Sequence, residues 1–364
     1  MSLQSSIVAE FAITYMRFLD ADGQLTQDLP ESLNNPELLR KLYEYMVLNR
    51  TFDAKAVALQ RTGKMGTYPS SGGQEAIGVG VGAAMQQGDV LVPYYRDHGA
   101  HLVRGGKIEE IYLLWGGDER GSDFATLKQD FPVAVPIASQ CLHAVGVAKA
   151  IQYRKQTRAV VTFIGDGGTS KGDFYEAINL AGVCKLPVLF VINNNQWAIS
   201  VPLSEQTLCK TLAQKGIAAG VPGEQVDGND VLAVYEATRN ALKKIRAGEG
   251  PYIIEALTYR MCDHTTADDA KRYQPPEDVE TYKKEDPILR LRTYLASQKL
   301  WDEEQEKALY AQVKHTVAQA VHAYESIPAQ PPTAIFDYLY ATLPHDLIEQ
   351  RDVLLASLGE NHHE

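Results

Sequence analysis

Two runs of β-branched and apolar residues, with a helical pattern between them, constrain the fold more than any other feature. Residues 159–164 and 187–192 have the composition of buried strands, and residues 172–185 between them have helical spacing. A strand–helix–strand unit of this length connects neighbouring parallel strands. Because a parallel sheet is covered by helices on both faces, the sequence predicts an α/β fold with a doubly wound parallel sheet.

The remainder of the chain is predicted to extend this unit on both sides. Residues 1–37 have no regular pattern and are predicted to form an N-terminal arm. Residues 38–285 contain the alternating helix and strand patterns and are predicted to form the α/β domain. Residues 286–364 are predicted to be a helical C-terminal extension, because apolar residues recur there at helical spacing.

Charge and apolar patterning exclude several classes of function. The chain has 35 Lys and Arg against 46 Asp and Glu, and the net charge of −11 opposes binding to nucleic acid or to an anionic membrane. Its apolar runs are all shorter than the roughly 20 residues that span a bilayer. The N-terminus lacks a basic leader, and the four cysteines form no CxxC pair. We therefore expect a cytoplasmic protein. It should bind any phosphate ligand through a local site, because its overall charge opposes anion binding.

Polar residues follow each of the two predicted strands at its carboxyl end. Asp166 comes after the first strand, with Gly165 before it and Gly167 and Gly168 after it, and Asn195 comes after the second strand. The carboxyl ends of neighbouring parallel strands share one edge of a sheet, so Asp166 and Asn195 should converge. Glycine lets the backbone approach a ligand, and a helix N-terminus attracts phosphate. Since a carboxylate and an amide oxygen suit Mg²⁺ beside a diphosphate, the motif predicts such a site.

Two other interpretations of this motif remain open. Asp166 could cap the following helix while the asparagines at residues 193–195 form a turn. The chain could also be a non-enzymatic module that binds a magnesium nucleotide, although it lacks the GxxxxGK[ST] loop of such proteins. The run GVGVG at residues 78–82 lacks the GxGxxG register and is weak support for dinucleotide binding.

The residues around the predicted site resemble a known cofactor-binding signature. They read GDGGTSKGDFYEAINLAGV and, after the second strand, NNNQWAIS, which is similar to the alpha subunits of the pyruvate and branched-chain 2-oxo acid dehydrogenases. The similarity extends over residues 38–275. It implies the thiamine-diphosphate-binding fold, with Mg²⁺ held by Asp166, Asn195 and the backbone carbonyl of Trp197. The chain departs from the family at Asn193, where an acidic residue or Arg is usual, and at Trp197, which is often Tyr.

The same resemblance assigns further cofactor contacts. The segment YYRDHG is similar to the family segment in which Tyr95 and Arg96 hydrogen-bond the diphosphate, a role that suits the planar guanidinium. The segment VPIASQ matches the turn where the family binds the aminopyrimidine ring, here at Ile137. Some relatives bind K⁺ nearby, to which Ser139 and Gln140 would correspond.

A polar loop supplies the candidate catalytic residues. The segment YRMCDHTTADDAKRY is similar to the active-site loop of the family, in which His264 takes the catalytic position and Arg260 supports the cofactor. Thr265 stands where mitochondrial relatives carry a regulatory phosphoserine, so that control is not expected here. His98 is a second candidate for a catalytic histidine. The segment GGQEA at residues 72–76 is interpreted as architectural, because small residues allow close helix packing.

The resemblance also implies a reaction and a set of partners. The reaction would be oxidative decarboxylation of a 2-oxo acid and transfer of the acyl group to a lipoyl group. Pyruvate dehydrogenase is the predicted enzyme, and a branched-chain 2-oxo acid or acetoin dehydrogenase is the alternative. The family site needs a second, pyrimidine-binding domain that is not recognisable in this chain. A beta subunit is therefore predicted to complete the site in an α2β2 heterotetramer, with the lipoyl-bearing acyltransferase of a multienzyme complex as a further partner.

Overall fold

The predicted parallel sheet lies at the centre of the larger part of the structure. The computed structural model describes residues 6–360. The strands in this range are β1 (Tyr15–Met16), β2 (Val90–Val92), β3 (Val160–Gly165), β4 (Val188–Asn194), β5 (Trp197–Ala198), β6 (Val201–Pro202), β7 (Gly223–Asp227) and β8 (Tyr252–Leu257). Six of these described strands form one sheet in the order β1–β7–β8–β4–β3–β2, with parallel pairing throughout. β5 and β6 form a separate antiparallel pair.

Helices surround this sheet, and the α/β fold predicted from the sequence is confirmed. The described helices are α1 (Pro36–Arg61), α2 (Glu75–Ala84), α3 (His98–Val103), α4 (Ile108–Trp115), α5 (Ser139–Tyr153), α6 (Gly172–Cys184), α7 (Leu203–Gln206), α8 (Val231–Arg246), α9 (Pro276–Lys283), α10 (Pro287–Ser297), α11 (Glu303–Glu325), α12 (Ala334–Asp337) and α13 (His345–Glu360). Among these helices, none combines the length and the apolar character that crossing a bilayer requires.

The core has two layers because side chains along β3 and β4 alternate between the faces of the sheet. On one face, Val160 and Phe190 belong to a buried cluster with Phe174 of α6. On the other face, Val161 belongs to a cluster with Val234 of α8. All of β4 is buried, which explains why its first five residues are continuously apolar instead of alternating. Each fully buried apolar side chain of this kind contributes about 1.5–3 kcal/mol to stability.

The register of the central strands places their carboxyl ends side by side. Gly165 at the end of β3 pairs with Asn193 of β4, and Asn194 pairs with Leu257 at the end of β8. The three strands therefore end at the same edge, and the loops that follow them meet there. In parallel α/β sheets this carboxyl edge is where ligands bind.

Part of the segment predicted to be an N-terminal arm contributes a strand to the sheet. Tyr15 and Met16 form β1, which adds an edge strand to the sheet next to β7. The backbone N–H groups of Phe18 and Leu19 then donate to the buried carboxylate of Asp230, at 2.7 and 2.8 Å. These contacts join residues more than 200 positions apart, so local sequence pattern could not predict them.

The chain divides into two compact units, Met1–Val321 and His322–Glu364. The larger unit contains the sheet and continues past residue 286 through α10. The smaller unit contains α12 and α13. The domain limits predicted from the sequence, 1–37, 38–285 and 286–364, stay a prediction.

Candidate active site

Asp166 lies where β3 ends, at the carboxyl edge of the sheet. The short 3₁₀ helix Gly167–Ser170 follows it directly and leads into α6. The Asp166 side chain is buried, and its Oδ2 accepts a hydrogen bond from the Gln206 amide at 3.0 Å. Burial raises the pKa of Asp166 to about 6, while the hydrogen bond from Gln206 acts in the opposite direction. The fold thus holds a carboxylate at the sheet edge with little access to bulk water.

Asn195 follows β4 and is buried at the same edge. Its side-chain Oδ1 accepts the backbone N–H of Trp197 at 3.2 Å. Its Nδ2 donates to Oε1 of Gln74 at 3.1 Å. Both ends of the Asn195 amide therefore have a defined partner, and its orientation is fixed by the surrounding fold.

A pocket of about 260 Å³ opens at this edge of the sheet. It contains Asp166 and Asn195 together, as the strand pattern predicts, and most of the other candidate residues. The predicted site residues that line it are Tyr95, Arg96, Ile137, Gly165, Asp166, Gly167, Gly168, Asn195, Trp197 and His264. Arg260 and His98 are not among its lining residues.

Two glycines after Asp166 are required by close packing within the site. A Cβ atom on Gly167 would lie 2.4 Å from Cβ of Ala198, and one on Gly168 would lie 2.7 Å from Cγ1 of Ile164. Both separations are too short for any larger residue. The glycines therefore let the turn after Asp166 lie against β3 and β5, which brings the backbone N–H groups of this turn close to the pocket.

Arg96 is a buried cation at the side of the pocket. Its guanidinium donates to the backbone carbonyl of Ser70 and, at 3.0 Å, to the backbone carbonyl of His264. Its neighbour Tyr95 packs against Tyr94, with ring centroids 4.8 Å apart. Arg96 thus places a positive charge beside the pocket and connects the segment at Ser70 to the loop that carries His264.

His264 lines the pocket as a neutral imidazole with a defined tautomer. Its Nδ1 lies 3.4 Å from Nη2 of Arg96 and 3.5 Å from Nη1 of Arg260. Both guanidinium groups can only donate, so Nδ1 accepts and the proton resides on Nε2. Burial lowers the pKa of His264 to about 4, and the charges of Arg96 and Arg260 act in the same direction. The imidazole is therefore uncharged near neutral pH.

Arg260 is not part of the pocket lining, and its hydrogen bonds connect three segments next to the pocket. Its guanidinium donates to the backbone carbonyls of Trp197 and Ile199, at 3.3 and 2.8 Å, and to the hydroxyl of Tyr273 at 2.6 Å. It is fully buried. In this structure Arg260 supports the loop that carries His264 and the turn that carries Trp197.

His98 is not brought to the pocket, which differs from its proposed catalytic role. Its Nε2 accepts from the indole N–H of Trp115 at 3.1 Å, and its Nδ1 lies 3.3 Å from the hydroxyl of Tyr68. Since an indole N–H can only donate, the His98 proton is on Nδ1 and points to Tyr68. Burial holds the pKa of His98 well below its usual value. This geometry indicates a structural histidine.

A buried carboxylate, Asp53 of α1, organises the segment beside His98. It accepts hydrogen bonds from the hydroxyls of Tyr68, Ser70 and Ser71 and from the backbone N–H of Ser71. Tyr68 in turn pairs with Thr266 through two hydrogen bonds of 2.9 Å, one of them to the Thr266 hydroxyl. Asp53 therefore supports the segment to which both Arg96 and the His264 loop are attached.

Removing this carboxylate should loosen the His264 loop. In Asp53→Ala several buried donors lose their acceptor, so we expect the free energy of unfolding to fall by about 3 kcal/mol. Urea denaturation measures this change, and amide hydrogen exchange across residues 262–268 should become faster. Asp28→Ala, at an exposed position, is the matched control. A loss below about 1 kcal/mol with unchanged exchange would contradict the supporting role of Asp53.

The turn before α5 provides one wall of the pocket. Ile137 lines it, and Ala138 takes a left-handed conformation with φ of 71°. Gln140 also lines the pocket, and its amide donates to the carbonyl of Phe163 at 2.8 Å, whereas its Oε1 is buried with no partner among the described residues. The Ser139 hydroxyl donates to the carbonyl of Pro136 at 2.8 Å. Of the two residues predicted to bind K⁺, Gln140 lines the pocket and Ser139 does not.

Several polar residues of the site were missed by the sequence analysis. Gln74 and Gln206 bond the side chains of Asn195 and Asp166, Tyr94 accepts from the amide of Asn193 at 3.0 Å, and Asp53 supports the neighbouring loop. Tyr94 is the first residue of the segment YYRDHG, but no role was assigned to it. Gln74 lies in the segment GGQEA, which is interpreted above as architectural, and Gln206 lies outside the recognised motifs; each acts through a contact with a distant part of the chain.

Comparisons with known proteins identify a family and several relatives of this chain. The family model of the dehydrogenase E1 component matches residues 43–333. The chain is 43% identical to the 3-methyl-2-oxobutanoate dehydrogenase subunit alpha of Mycobacterium tuberculosis over 339 residues, which cover 93% of this chain and 91% of that protein. It is 42% identical to the pyruvate dehydrogenase E1 component subunit alpha of Acholeplasma laidlawii, covering 91% and 96% of the two chains. The corresponding subunit of Staphylococcus aureus is 38% identical, covering 93% and 92%.

The matched region includes the whole of the pocket, from Tyr94 to His264. The identity to each relative is above 30% and extends over nearly the full length of both chains. The resemblance noted in the sequence motifs is therefore confirmed, and the chain belongs to the dehydrogenase E1 component family.

Proposed function

We propose that this chain is the alpha subunit of a pyruvate dehydrogenase that decarboxylates its substrate with thiamine diphosphate and Mg²⁺ and passes the acyl group to a lipoyl partner. The observation that carries the proposal is the pocket itself, in which Asp166, Asn195, Arg96 and His264 meet at the carboxyl ends of β3 and β4. As a member of its family, the chain is a component of a thiamine-diphosphate-dependent 2-oxo acid dehydrogenase. This favours an enzyme over the magnesium-nucleotide module that the motif alone left open.

The donors in the pocket fit a magnesium diphosphate. Asp166, the amide oxygen of Asn195 and the carbonyl of Trp197 are hard oxygen donors with one carboxylate among them, which is the set that Mg²⁺ takes beside phosphate oxygens. The buried guanidinium of Arg96 and the turn that begins at Gly167 add positive charge and N–H donors for the phosphates. We therefore assign Asp166, Asn195 and Trp197 to the metal, and Arg96 with Tyr95 to the diphosphate.

Other residues of the chain would place the organic part of the cofactor and act on the substrate. Thiamine diphosphate, when bound, supplies the electron sink for loss of carbon dioxide from a 2-oxo acid. Ile137 offers backbone groups to the pyrimidine ring, and the buried Oε1 of Gln140 is an acceptor available to K⁺. His264 presents an Nε2–H that can donate a hydrogen bond to the carbonyl oxygen of the substrate as negative charge develops there.

The proposed partners rest on the family resemblance, because the pyrimidine-binding domain of the family site is not recognisable in this sequence. We propose a beta subunit that contributes the pyrimidine-binding domain, an α2β2 assembly, and a lipoyl-bearing acyltransferase that accepts the acyl group. We also propose a cytoplasmic location, in line with the acidic charge of −11 and the bacterial relatives.

Pyruvate is the proposed substrate because two of the three relatives described above are named pyruvate dehydrogenase subunits. The alternative is 3-methyl-2-oxobutanoate, favoured by the relative from M. tuberculosis with 43% identity. The two identities of 43% and 42% do not separate these substrates. Part of the substrate pocket would come from the beta subunit, so specificity depends on both chains.

Reconstitution with the beta subunit tests this proposal. The purified chain should show no turnover, and the complex should decarboxylate pyruvate with a kcat/KM about tenfold or more above that for 3-methyl-2-oxobutanoate, a difference that a few methyl groups in an apolar pocket can produce. The assay follows reduction of a lipoyl domain with pyruvate, 3-methyl-2-oxobutanoate and acetoin in parallel. A preference for the branched substrate would replace the substrate assignment, and full turnover by the isolated chain would refute the need for a beta subunit.

A further inference from the structure

Gln74 lies directly behind Asn195 and contacts the amide that we assign to the metal. Gln74 precedes the first residue of α2 and is 3% exposed. Its Oε1 accepts the hydrogen bond from Nδ2 of Asn195 at 3.1 Å, across a separation of 121 residues. Its own Nε2 is buried without a hydrogen-bond partner among the described residues. A buried glutamine that uses its oxygen and leaves its nitrogen unpaired is unusual, because an unmet buried donor costs stability.

The orientation of both amides is determined by one backbone group. The N–H of Trp197 can only donate, and it points to one end of the Asn195 side chain at 3.2 Å, so that end is Oδ1. The other end of Asn195 is then the donor Nδ2, and it faces Gln74. Gln74 must consequently present its oxygen.

This arrangement matters because the two ends of an asparagine amide have nearly the same shape. Mg²⁺ binds oxygen donors, and only one end of Asn195 can serve it. Suppose that the Asn195 side-chain amide were reversed while Gln74 stayed in place. Oδ1 of Asn195 would then face Oε1 of Gln74, and its Nδ2 would face the N–H of Trp197. Both hydrogen bonds would be lost. If Gln74 turned over as well, the donor clash at Trp197 would remain.

We propose that Gln74 is a positioning residue for the magnesium site, which together with the N–H of Trp197 holds the oxygen of Asn195 toward the metal and adds to the cost of the reversed amide. The inference rests on the proposed function, since it takes Asn195 as a metal ligand. It also assigns a role to the segment GGQEA, which the sequence analysis interprets as architectural. Partners that orient a metal ligand in this way typically contribute about 10–100-fold to metal affinity.

The backbone around Gln74 is held independently of its side chain. The Gln74 N–H donates to the carbonyl of Ser71 at 2.9 Å, and its carbonyl accepts from the N–H of Ile77 at 3.2 Å. The next residue, Glu75, is buried and forms an ion pair with Arg50. A change confined to the Gln74 side chain should therefore leave this turn in place.

Gln74→Met tests the proposal, because methionine has a similar length and no hydrogen-bond acceptor of comparable strength. Thiamine diphosphate binding is measured by calorimetry over a series of Mg²⁺ concentrations, with the full chain in complex with its beta subunit. We expect the Mg²⁺ concentration for half-maximal binding to rise about tenfold. Gln74→Glu keeps an oxygen acceptor at the same position, and its Mg²⁺ midpoint should not exceed that of the wild type.

A double-variant cycle separates positioning from a structural effect. In Asn195→Asp both ends of the ligand are oxygens, so nothing remains for Gln74 to orient. Gln74→Met should then change the Mg²⁺ midpoint less than twofold in the Asn195→Asp background, as compared with about tenfold in the wild-type background. A loss of the same size in both backgrounds would mean that Gln74 acts only through packing, and this would overturn the proposal.

The remaining outcomes distinguish this proposal from the metal assignment on which it rests. If Asp166→Ala abolishes the Mg²⁺ dependence and Gln74→Met leaves the midpoint within twofold of the wild type, the metal site stands and the role of Gln74 fails. If neither variant changes the Mg²⁺ dependence, the metal site itself is wrong. If Gln74→Met does not fold, Gln74→Glu alone tests the proposal. A tenfold rise in the Mg²⁺ midpoint of Gln74→Glu would then overturn it.

Discussion

Replacing Asp166 with alanine should abolish magnesium-dependent binding of thiamine diphosphate while the fold survives. Asp166 supplies the carboxylate among the three assigned metal ligands, and the diphosphate is itself an anion that needs the metal as a bridge. We expect the affinity to fall by a factor on the order of 10² or more, since even indirect partners of a metal contribute 10–100-fold. Calorimetry with the cofactor and Mg²⁺ measures the loss.

Stability should change little in Asp166→Ala. The substitution removes the acceptor of the Gln206 amide, which corresponds to about 1 kcal/mol. Thermal unfolding of the variant without cofactor checks this point. Asp173→Ala is the matched control, because it removes a partly exposed carboxylate from the first turn of α6 in the same segment. Asn195→Ala, which removes a neutral ligand, should weaken binding less than Asp166→Ala. Wild-type affinity in Asp166→Ala would refute the metal site.

Replacing His264 with alanine should impair acyl transfer to the lipoyl partner far more than cofactor binding. His264 lines the pocket with its proton on Nε2, and it is neutral near pH 7 because burial lowers its pKa to about 4. A hydrogen-bond donor aimed at the charge that develops at the reacting centre typically contributes about 10²–10³ in rate. The metal ligands lie on other loops, so the dissociation constant for thiamine diphosphate should change only by a modest factor.

Two rates in the reconstituted complex locate the effect of His264→Ala. Decarboxylation is followed with an artificial electron acceptor, and acyl transfer is followed as acylation of an isolated lipoyl domain. His315→Ala, an exposed position on α11, is the control. Unchanged rates in both assays would make His264 a structural loop residue. A large loss of cofactor affinity would instead indicate that His264 acts by holding Arg96, whose guanidinium it contacts.

Much of the fold and of the pocket could be predicted from local sequence. The apolar runs of β3 and β4 and the helix between them require a parallel sheet, and a parallel sheet brings the ends of neighbouring strands to one edge. Asp166 and Asn195 are therefore placed near each other by strand order alone. The motif residues Tyr95, Arg96, Ile137 and His264 were identified by resemblance, and the structure brings all of them to the same pocket.

The tertiary structure alone decided how those residues are held. His98 is a motif residue, but its ring is engaged by Trp115 and Tyr68 and is kept away from the pocket. Arg260 lies behind the pocket and supports two loops.

The supporting residues show why local pattern is not enough. Asp53 bonds residues 15 to 18 positions away, Gln206 bonds a carboxylate 40 positions away, and Gln74 bonds an amide 121 positions away. The hydrogen-bond partner of a buried polar side chain depends on how distant segments pack. Hydrophobic periodicity does not indicate which distant residues form such a pair. The sequence by itself thus determined which chemical groups the sheet edge presents, whereas the packing of distant segments determined which atom of each group faces the pocket.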